Sequence, residues 1–362
     1  MRKYVLMVTV VLALMVSAVF GQNAGVEWTL VKNSPFGGSQ VNAIVWGKDK
    51  FVAVGDKGKI AYSLDGVTWT AVKNSTFNNK SDINAVAWGK DKFVAGGKNN
   101  DYGKFAYSSD GITWTEVRND ALFRNYEISN IIWGNNKFVA TTVYFQDCDD
   151  YESVGMVAYS SDGITWVKTE YGEYGGHIAH FVWCNNKFVV ASTSSYGEGS
   201  AIYYSSDGIT WNRVENYPLN GSTGAFACID NKFVAVGYHL FDTDEMYDEE
   251  GNCIRKTEEG HCIGYEERVM YSLDGITWKE VKNKVFNKYS ISINAWGNDK
   301  LVVAENDYTE KNSSSKMAYS SDGIIWTLAK NYPFGKSKTN KIVYGNGVFV
   351  ASSWDGKIAY SK

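Results

Sequence analysis

Short stretches of alternating apolar and polar residues follow one another along almost the whole chain. The first four are VNAIVWG (41–47), KFVAVG (50–55), KIAYS (59–63) and TWTAV (68–72). A period of two with many Val, Ile, Tyr and Trp residues predicts β-strands, and the Gly, Asp, Asn and Lys residues between them predict tight turns. After the N-terminal apolar segment, no stretch longer than ten residues has helical spacing. The pattern predicts an all-β protein whose first four strands, named A to D, form an antiparallel meander.

This four-strand unit repeats along the chain. Seven of the predicted strands end in Tyr-Ser, and in the first six copies the next residues are x-Asp-Gly-x-x-Trp. The successive Trp residues are 45, 52, 45, 67 and 48 positions apart. A four-stranded propeller blade occupies ~40–50 residues, so the spacing predicts a β-propeller with one blade per repeat.

The two ends of the chain complete one another. The seventh repeat supplies only three predicted strands, within residues 340–361. The segment GVEWTLVKNSPFGG (25–38) closely matches the strand D region GIIWTLAKNYPFGK (323–336) of the sixth repeat. We therefore expect residues 25–362 to form a single seven-bladed β-propeller of four-stranded antiparallel blades. In this fold the N-terminal strand completes the last blade and leaves no open sheet edge.

The Ser-x-Asp-Gly sequence between strands C and D predicts a hairpin turn. Glycine accepts a positive φ there, while the Ser and Asp oxygens bond backbone N–H groups. The Trp that follows offers a large apolar surface to pack beneath the turn or against the next blade. Because an active site is needed once and this motif occurs six times, we assign it a structural role. The residues assigned this role are Ser63, Asp65, Trp69, Ser108, Asp110, Trp114, Ser160, Asp162, Trp166, Ser205, Asp207, Trp211, Ser272, Asp274, Trp278, Ser320, Asp322 and Trp326.

The extended motif Ser-x-Asp-Gly-x-Thr-Trp resembles the Asp-box (BNR-like) repeat of propellers in sialidases, other glycosidases and photosystem assembly factors. The longer unit FVAVGDKGKIAYSLDGVTW (51–69) is similar to the repeats of secreted bacterial propellers. The resemblance covers essentially all of the mature chain and implies the propeller fold. Unlike the Asp-box pattern, this version has no residue between Asp and Gly.

The resemblance to sialidases implies three arginines that clamp a sugar carboxylate. The mature chain has five arginines, and their positions in the repeats do not bring three together at the central channel. Lysine is a poor replacement because only a guanidinium group offers a bidentate fork. A general glycosidase needs only two carboxylates, about 5–10 Å apart. That alternative stays open, although no pair of acids stands out in the sequence.

The N-terminal residues have the layout of a secretory signal peptide. Two basic residues precede an apolar run that ends at Phe20, and small or polar residues follow. We predict that residues 1–21 are removed, with cleavage after Ala24 as a second candidate. No cysteine stands directly after the run, and no later stretch reaches the ~18 apolar residues of a membrane span. We expect a secreted, cell-surface or periplasmic protein without a membrane span.

Acidic residues are concentrated in one insertion, at about residues 238–267 of the fifth repeat. Loss of Arg2 and Lys3 changes the formal net charge of the chain from −4 to −6, and residues 241–267 alone carry −8. Nucleic-acid binding needs clustered Lys and Arg residues, so we do not expect it. Acids between Asp242 and Asp248 could hold Ca²⁺, but they lack the spacing of an EF-hand loop. We interpret the insertion as a solvated acidic arm and expect no cofactor.

The five cysteines are Cys148, Cys184, Cys228, Cys253 and Cys262. In an oxidising compartment Cys253 and Cys262 could form a local disulfide across the insertion, since they are nine positions apart. Cys184 and Cys228 lie at or beside the Trp position of strand A. We expect these two to be small, buried packing residues.

Two histidines, His177 and His180, begin strand A of the fourth repeat. Side chains alternate along a strand, so residues i and i+3 face opposite sides. We therefore predict a polar strand end here and no metal site.

Comparison of the repeats separates constant turns from variable loops. The A–B and C–D turns barely change, whereas the B–C connections range from GDKG to the long insertion. In a meandering blade the B–C and D–A loops emerge on one face of the disc, where binding groups concentrate. Aromatic and acidic residues on this face are the candidate ligand contacts. They are Tyr102, Tyr144, Phe145, Asp147, Asp149, Asp150, Tyr151, Tyr196 and Trp354.

Aromatic rings beside carboxylates suit a sugar or a protein partner. We therefore interpret the chain as an exported, monomeric, non-enzymatic recognition or scaffold protein that binds a protein or glycan through the variable face. Two alternatives stay open. One is a glycoside hydrolase of the Asp-box propeller type, and the other is an envelope assembly factor like the photosystem propellers that the chain resembles.

Overall fold

A computed structural model shows seven four-stranded antiparallel β-sheets, each of which is one blade of a propeller. The structure describes residues 24–100, 102–118, 122–144, 155–169, 177–193, 200–219, 223–242, 263–281, 290–306 and 315–362. The predicted seven-bladed all-β fold is confirmed. No helix in these ranges is long and apolar enough to cross a membrane. The predicted signal peptide lies outside them.

In each blade strand A is the innermost and strand D the outermost. Strand β1 (Thr29–Leu30) is strand D of blade 7. Blades 1 to 3 contain, in the order A to D, β2 (Val41–Gly47), β3 (Lys50–Gly55), β4 (Ile60–Ser63), β5 (Thr70–Ala71); β6 (Ser81–Gly89), β7 (Lys92–Asn99), β8 (Tyr102–Ser108), β9 (Thr115–Val117); β10 (Tyr126–Gly134), β11 (Lys137–Tyr144), β12 (Val157–Ser160) and β13 (Val167–Lys168). A short 3₁₀ turn, Asp56–Gly58, joins β3 to β4.

Blades 4 to 7 follow the same order. They contain β14 (His177–Cys184), β15 (Lys187–Thr193), β16 (Ser200–Ser205), β17 (Asn212–Arg213); β18 (Thr223–Ile229), β19 (Lys232–Asp242), β20 (Ile263–Ser272), β21 (Lys279–Val281); β22 (Ser290–Gly297), β23 (Lys300–Asn306), β24 (Lys316–Ser320), β25 (Thr327–Leu328); β26 (Thr339–Gly345), β27 (Val348–Ser353) and β28 (Ile358–Ser361). Each strand A contacts the strand A of the next blade, and β26 contacts β2, so the ring is closed around a central channel.

The two ends of the described chain meet in blade 7, whose strand order is β1-β28-β27-β26. Thr29 pairs with Tyr360 in antiparallel register. The N–H of Gly25 donates a hydrogen bond to Ser361 Oγ at 2.8 Å. The expectation that the N-terminal strand completes the last blade is therefore confirmed.

The apolar core lies between neighbouring blades, where strand B of each blade buries an aromatic or aliphatic side chain. Phe51 of β3 is completely buried, and its ring centroid lies 4.6 Å from that of Trp46. The equivalent residues are also fully or almost fully buried: Phe93, Phe138, Phe188, Phe233, Leu301 and Phe349.

At the end of strand A, a glycine of one blade lies against an aromatic ring of the next blade. A Cβ atom on Gly47 would overlap the ring of Trp88 in blade 2. The same pair recurs around the ring as Gly89–Trp133, Gly134–Trp183, Gly297–Tyr344 and Gly345–Trp46. A side chain at any of these five glycines would occupy the space of the ring. Blade 5 departs from the pattern, because Ile229 stands at the glycine position and packs in the same cluster as Trp296 of blade 6.

Blades 4 and 5 replace this pair with a disulfide. Cys184 stands at the glycine position of blade 4 and Cys228 at the aromatic position of blade 5. The two residues are bonded, with Cα atoms 5.5 Å apart. The sequence predicts two small, buried packing residues here. Cys184 is buried and Cys228 is half-buried, but the two form a disulfide that the expectation did not include. The predicted Cys253–Cys262 bridge lies outside the described residues and stays a prediction.

Candidate functional site

The A–B and C–D turns form one face of the ring, on which hydrogen bonds join neighbouring blades. Lys48 Nζ, in the A–B turn of blade 1, donates to the Ser109 carbonyl in the C–D turn of blade 2 at 2.7 Å. Equivalent bonds run from Lys90 to Ser161, Asn135 to Ser206, Asn185 to Leu273, and Asn346 to Leu64. We call this the belt face. Because each turn must reach the next, its length and its donor side chain are constrained, which accounts for the near-constant sequences.

Six of the seven C–D corners on the belt face are closed by their own Ser and Asp side chains. In blade 2, Ser108 Oγ donates to Asp110 Oδ1 at 2.9 Å and accepts the Gly111 N–H at 2.8 Å. Asp110 Oδ1 also accepts the N–H groups of Ile112 and Thr113 at 2.8 and 2.7 Å. The Ser-to-Asp bond recurs in Ser63–Asp65, Ser160–Asp162, Ser205–Asp207, Ser272–Asp274 and Ser320–Asp322. These bonds stabilise the turn and commit the aspartates to backbone groups.

The corner carboxyl groups have low pKa values. Burial alone would raise the pKa of Asp110, but N–H donors from Thr113 and Ile112 and the Ser108 hydroxyl outweigh it and lower the pKa to about 2. The same balance lowers the pKa of Asp162 and of Asp274 to about 2. A general acid would need a raised pKa, so these ionised groups are unsuited to that role.

The B–C and D–A loops lie on the opposite face, which we call the loop face. Two of the predicted contact residues there are described and exposed: Tyr102 is 38 % and Trp354 is 44 % accessible. Tyr144 ends β11, where its backbone pairs with Tyr126. The other predicted contact residues lie outside the described residues: Phe145, Asp147, Asp149, Asp150, Tyr151 and Tyr196. Most of the acidic insertion lies outside them too.

Trp354 is presented by a closed turn of blade 7. Its N–H donates to the Lys338 carbonyl at 3.1 Å, and Lys338 Nζ lies 5.2 Å from the centroid of the indole ring. Ser353 Oγ donates to Asp355 Oδ1 at 2.5 Å, and Asp355 forms a 2.6 Å ion pair with Lys357. The exposed indole therefore stands on a preformed turn, with a cation over its face.

A β-bulge interrupts strand A of all seven blades close to the loop face. In blade 1 the bulged residue is Asn42, whose Nδ2 donates to the Ile83 carbonyl of blade 2 at 3.2 Å. The bulged asparagines of blades 2 and 7 make the same bond, Asn84 to the Ile128 carbonyl at 3.1 Å and Asn340 to the Val41 carbonyl at 2.7 Å. This ladder of amides links blades 7, 1, 2 and 3 at the channel mouth. Period-two reasoning missed it. An extra residue shifts the alternation by one position, but in blade 1 the residues after the bulge, Ala-Ile-Val-Trp (43–46), are all apolar, so the shift does not show in the sequence.

A cleft of about 290 Å³ opens on the loop face above blade 1. Three buried apolar residues form its floor: Phe36, Ile60 and Phe77. Three lysines surround it: Lys57, Lys59 and Lys73. We call it the blade 1 cleft. Sequence reasoning did not find it, because its walls come from a B–C turn and two D–A loops that are far apart in the repeat pattern.

Bonds to both neighbouring blades hold the walls of the blade 1 cleft. On one side Ser34 Oγ donates to the Gly356 carbonyl at 2.5 Å, within the turn that presents Trp354. On the other side Lys104 Nζ donates to the Thr76 carbonyl at 2.6 Å, from the strand that begins at Tyr102. Tyr102 and Trp354, the exposed aromatic residues in the described part of the loop face, therefore belong to the elements that flank the cleft.

The described arginines lie away from the channel strands. Arg213 is on an outer strand D, and Arg268 on a strand C forms a 3.5 Å ion pair with Glu280. Arg118 follows a strand D. Arg124 lies in a D–A connection, where its backbone forms an isolated antiparallel β-bridge with Tyr102. None of these four stands on a strand A, and Arg255 lies outside the described residues.

The two strand-start histidines span a bulge. His177 pairs with Thr193 and His180 with Ala191, so the alternation used to separate them does not apply across this point. In the ranges that the structure covers, there is no group of three or more His, Cys, Asp or Glu residues that could hold a metal ion.

Seven closed blades with a belt face and a loop face define a repeat β-propeller. Residues 4–247 match the DUF6242 β-propeller domain, and the chain belongs to that family. No curated protein matches the chain significantly.

Several solved propellers are similar in fold. A structure titled YCF48 bound to D1 peptide has a TM-score of 0.61 and 13 % identity, over 93 % of this chain and 94 % of that one. Virginiamycin B lyase from Staphylococcus aureus gives 0.60 and 10 %, over 93 % and 99 %. The WD40 propeller of Doa1 gives 0.58 and 10 %, over 92 % and 97 %. Identities this low establish a common fold and nothing about function.

Proposed function

We propose that the chain is an exported, non-enzymatic recognition or scaffold protein that binds a partner protein through its loop face. The observation that carries the proposal is the contrast between the faces. Inter-blade bonds such as Lys48 to Ser109 fix the belt face, while all the large differences in loop length fall on the other face. Exposed loops on a rigid scaffold are where recognition residues concentrate.

Export is supported by two independent features. The N-terminal apolar run has the layout of a signal peptide. The Cys184–Cys228 disulfide joins two blades, and such bonds persist in oxidising compartments. The proposal places the mature protein in the periplasm, on the cell surface or outside the cell.

A protein partner is supported by the presentation of Trp354 and Tyr102. Tryptophan and tyrosine are the residues that most often anchor protein interfaces. The similar YCF48 structure is titled as a complex with a peptide, which makes a peptide segment a reasonable partner to test. A partner in an envelope complex would make the protein an assembly factor, and a host or surface partner would make it an adhesin.

Catalysis is not favoured by the described carboxyl groups. Those with a shifted pKa are all shifted downward, whereas a glycosidase acid needs a raised pKa. They are Asp65, Asp110, Asp162, Asp207, Asp274, Asp322 and Asp355. On the described part of strand A, Glu127 accepts a hydrogen bond from Asn84, and Asp82 accepts the N–H of Lys57 at 3.1 Å.

Site-specific photo-crosslinking tests the proposal. A benzoylphenylalanine residue replaces either Trp354 on the loop face or Leu64 on the belt face, where Leu64 is 60 % exposed. In intact cells of the source organism we expect a discrete protein adduct from position 354 and none from position 64. Adducts from position 64 alone would contradict the proposal. A glycan array, with the unmodified mature protein, identifies a sugar ligand if one replaces the protein partner.

A further inference from the structure

We propose that the blade 1 cleft binds an acidic peptide segment, with a carboxylate between Lys57 and Lys73 and an adjacent apolar side chain on the cleft floor. The inference rests on the proposed function and names the class of segment that the loop face recognises. It follows from the charge, the lining and the rigidity of the cleft.

The ionisable side chains that line the blade 1 cleft are all lysines, and the nearby Asp82 carboxylate is bonded to the backbone N–H of Lys57. Lys59 Nζ donates a hydrogen bond to the Phe36 carbonyl. Lys57 and Lys73 are exposed on the rim, and neither forms an ion pair with a described residue. No acidic side chain is among the described residues that line the cleft. Two ammonium groups at one opening, neither of them paired with a described carboxylate, favour an anionic ligand.

The remaining lining favours a peptide over a sugar. Sugar sites depend on amide and carboxylate side chains that bond hydroxyl groups, and the described lining contains neither. It offers instead the partly exposed side chains of Pro35 and Val72, which lie over the buried Phe36, Ile60 and Phe77. A cleft of about 290 Å³ holds one or two amino-acid side chains. In a bound peptide, an acidic residue would match the lysine rim and an adjacent apolar residue would match the floor.

The blade 1 cleft is also preorganised. The turn that carries Lys57 has a left-handed residue, with φ 60° at Lys57, and its N–H is held by the Asp82 carboxylate at 3.1 Å. A Cβ atom on the next residue, Gly58, would lie 2.5 Å from the Asn78 carbonyl, so the turn sits directly on the neighbouring loop. Fixed walls reduce the ordering cost of binding.

Fluorescence anisotropy with the mature protein tests this inference. The probe is a fluorescein-labelled peptide, Glu-Glu-Leu-Glu-Glu-Leu, and its control replaces every Glu by Gln. The test variant is Lys57→Glu with Lys73→Glu. The matched control is Lys168→Glu with Lys279→Glu, which makes the same charge change at exposed positions on outer strands.

We expect the acidic peptide to bind the unmodified protein, and the test variant to raise the Kd roughly tenfold or more. The control variant should change it less than about twofold, and added salt should weaken binding because the contact is ionic. Lys57→Gln with Lys73→Gln should weaken binding in the same direction, and circular dichroism verifies that each variant is folded.

Three results would overturn the inference: no binding of the acidic peptide, equal binding of the Gln peptide, or equal losses in the test and control variants. Tighter binding of an oligo-uronate in the cleft would also overturn it, in favour of an acidic glycan. If any of these occurs while position 354 still crosslinks to a protein, the cleft assignment alone fails. If position 354 gives no adduct either, the proposed function fails with it.

Discussion

The backbone N–H of Gly25 donates a hydrogen bond to the Ser361 hydroxyl at 2.8 Å, across 336 positions of the chain. In blade 1 the equivalent 2.9 Å bond joins Ser63 and Gly66, which are three positions apart. The seventh corner is therefore assembled from the two chain ends, with Ala24 in the place of the corner aspartate. This corner lacks the carboxylate that closes the others and depends on the fit of Gly25.

Gly25→Ala should destabilise the ring by more than the cost of placing alanine at a positive φ. Gly25 has φ +83°, and a Cβ atom there would lie 2.6 Å from Val302 Cγ2. Gly38 has φ +84° with nothing within 4 Å, so Gly38→Ala isolates the backbone cost. We expect a loss of about 1 kcal/mol for Gly38→Ala and about 2–4 kcal/mol for Gly25→Ala in urea unfolding. Equal losses would mean that the packing at the ring closure is loose.

Removal of the inter-blade disulfide should lower the stability of the protein. Introducing the glycine–ring pair found between other blades should recover part of that loss. Cys184→Ser with Cys228→Ser should lower the free energy of unfolding by roughly 2–4 kcal/mol. Cys184→Gly with Cys228→Trp rebuilds the glycine–ring contact of the other blades and should recover part of that loss. Thermal unfolding of the three proteins measures this. A Gly/Trp protein no more stable than the Ser/Ser protein would show that blades 4 and 5 differ from the other pairs in more than these residues.

The corner aspartates should make stability fall at low pH. The pKa of Asp110 is about 2 in the folded chain against 3.8 in the unfolded reference. A lowered folded pKa gives stability that is fully present above the unfolded value and is lost as the pH falls through the folded one. We expect unfolding free energy to be flat above about pH 5 and to decline between about pH 4 and pH 2.

Asp110→Asn checks this assignment. It should cost about 1–2 kcal/mol at neutral pH and reduce the acid dependence, because an amide cannot ionise. Asp91→Asn is the control, since Asp91 is exposed in an A–B turn, outside the corners. The same acid dependence in both variants would contradict the assignment of the low pKa to the corners.

Asn42→Ala should loosen the channel mouth between blades 1 and 2. The substitution removes the bonds of Asn42 to the Ile83 carbonyl at 3.2 Å and to Asp56 at 2.9 Å. We expect a loss of about 1–2 kcal/mol. Asn42→Asp keeps the size but places a second carboxylate beside Asp56, and it should cost at least as much. Hydrogen exchange at residues 83–85 reports the local effect, and unchanged protection would exclude a role for the ladder.

The sequence was sufficient for the architecture because each blade repeats its information. The Tyr-Ser-x-Asp-Gly spacing predicted seven blades, and the likeness of residues 25–38 to 323–336 predicted the closure, which Thr29 and Tyr360 form. The lengths of the connections, compared between repeats, were enough to distinguish the belt face from the loop face. These inferences depended on comparing positions between repeats.

Features that depend on contacts between different repeats were missed. Cys184 and Cys228 were treated one at a time, although they occupy the two complementary positions of the glycine–ring contact. The blade 1 cleft joins Lys57 in a turn with Lys73 in a loop, and nothing in the alternation places them together. Most of the predicted aromatic and acidic contacts, Tyr144 to Tyr151 and Tyr196, stay predictions.

Recognition through the loop face is the central claim, and a comparison of matched surface variants tests it most directly. Tyr102→Ala with Trp354→Ala removes two exposed rings of the loop face. Leu64→Ser with Leu273→Ser removes two residues of the belt face that are 60 % and 61 % exposed. The measurement is the affinity of each mature protein for the partner captured at position 354. We expect the loop-face variant to bind roughly tenfold or more weakly and the belt-face variant to bind as the unmodified protein does. A loss confined to the belt-face variant would contradict the account.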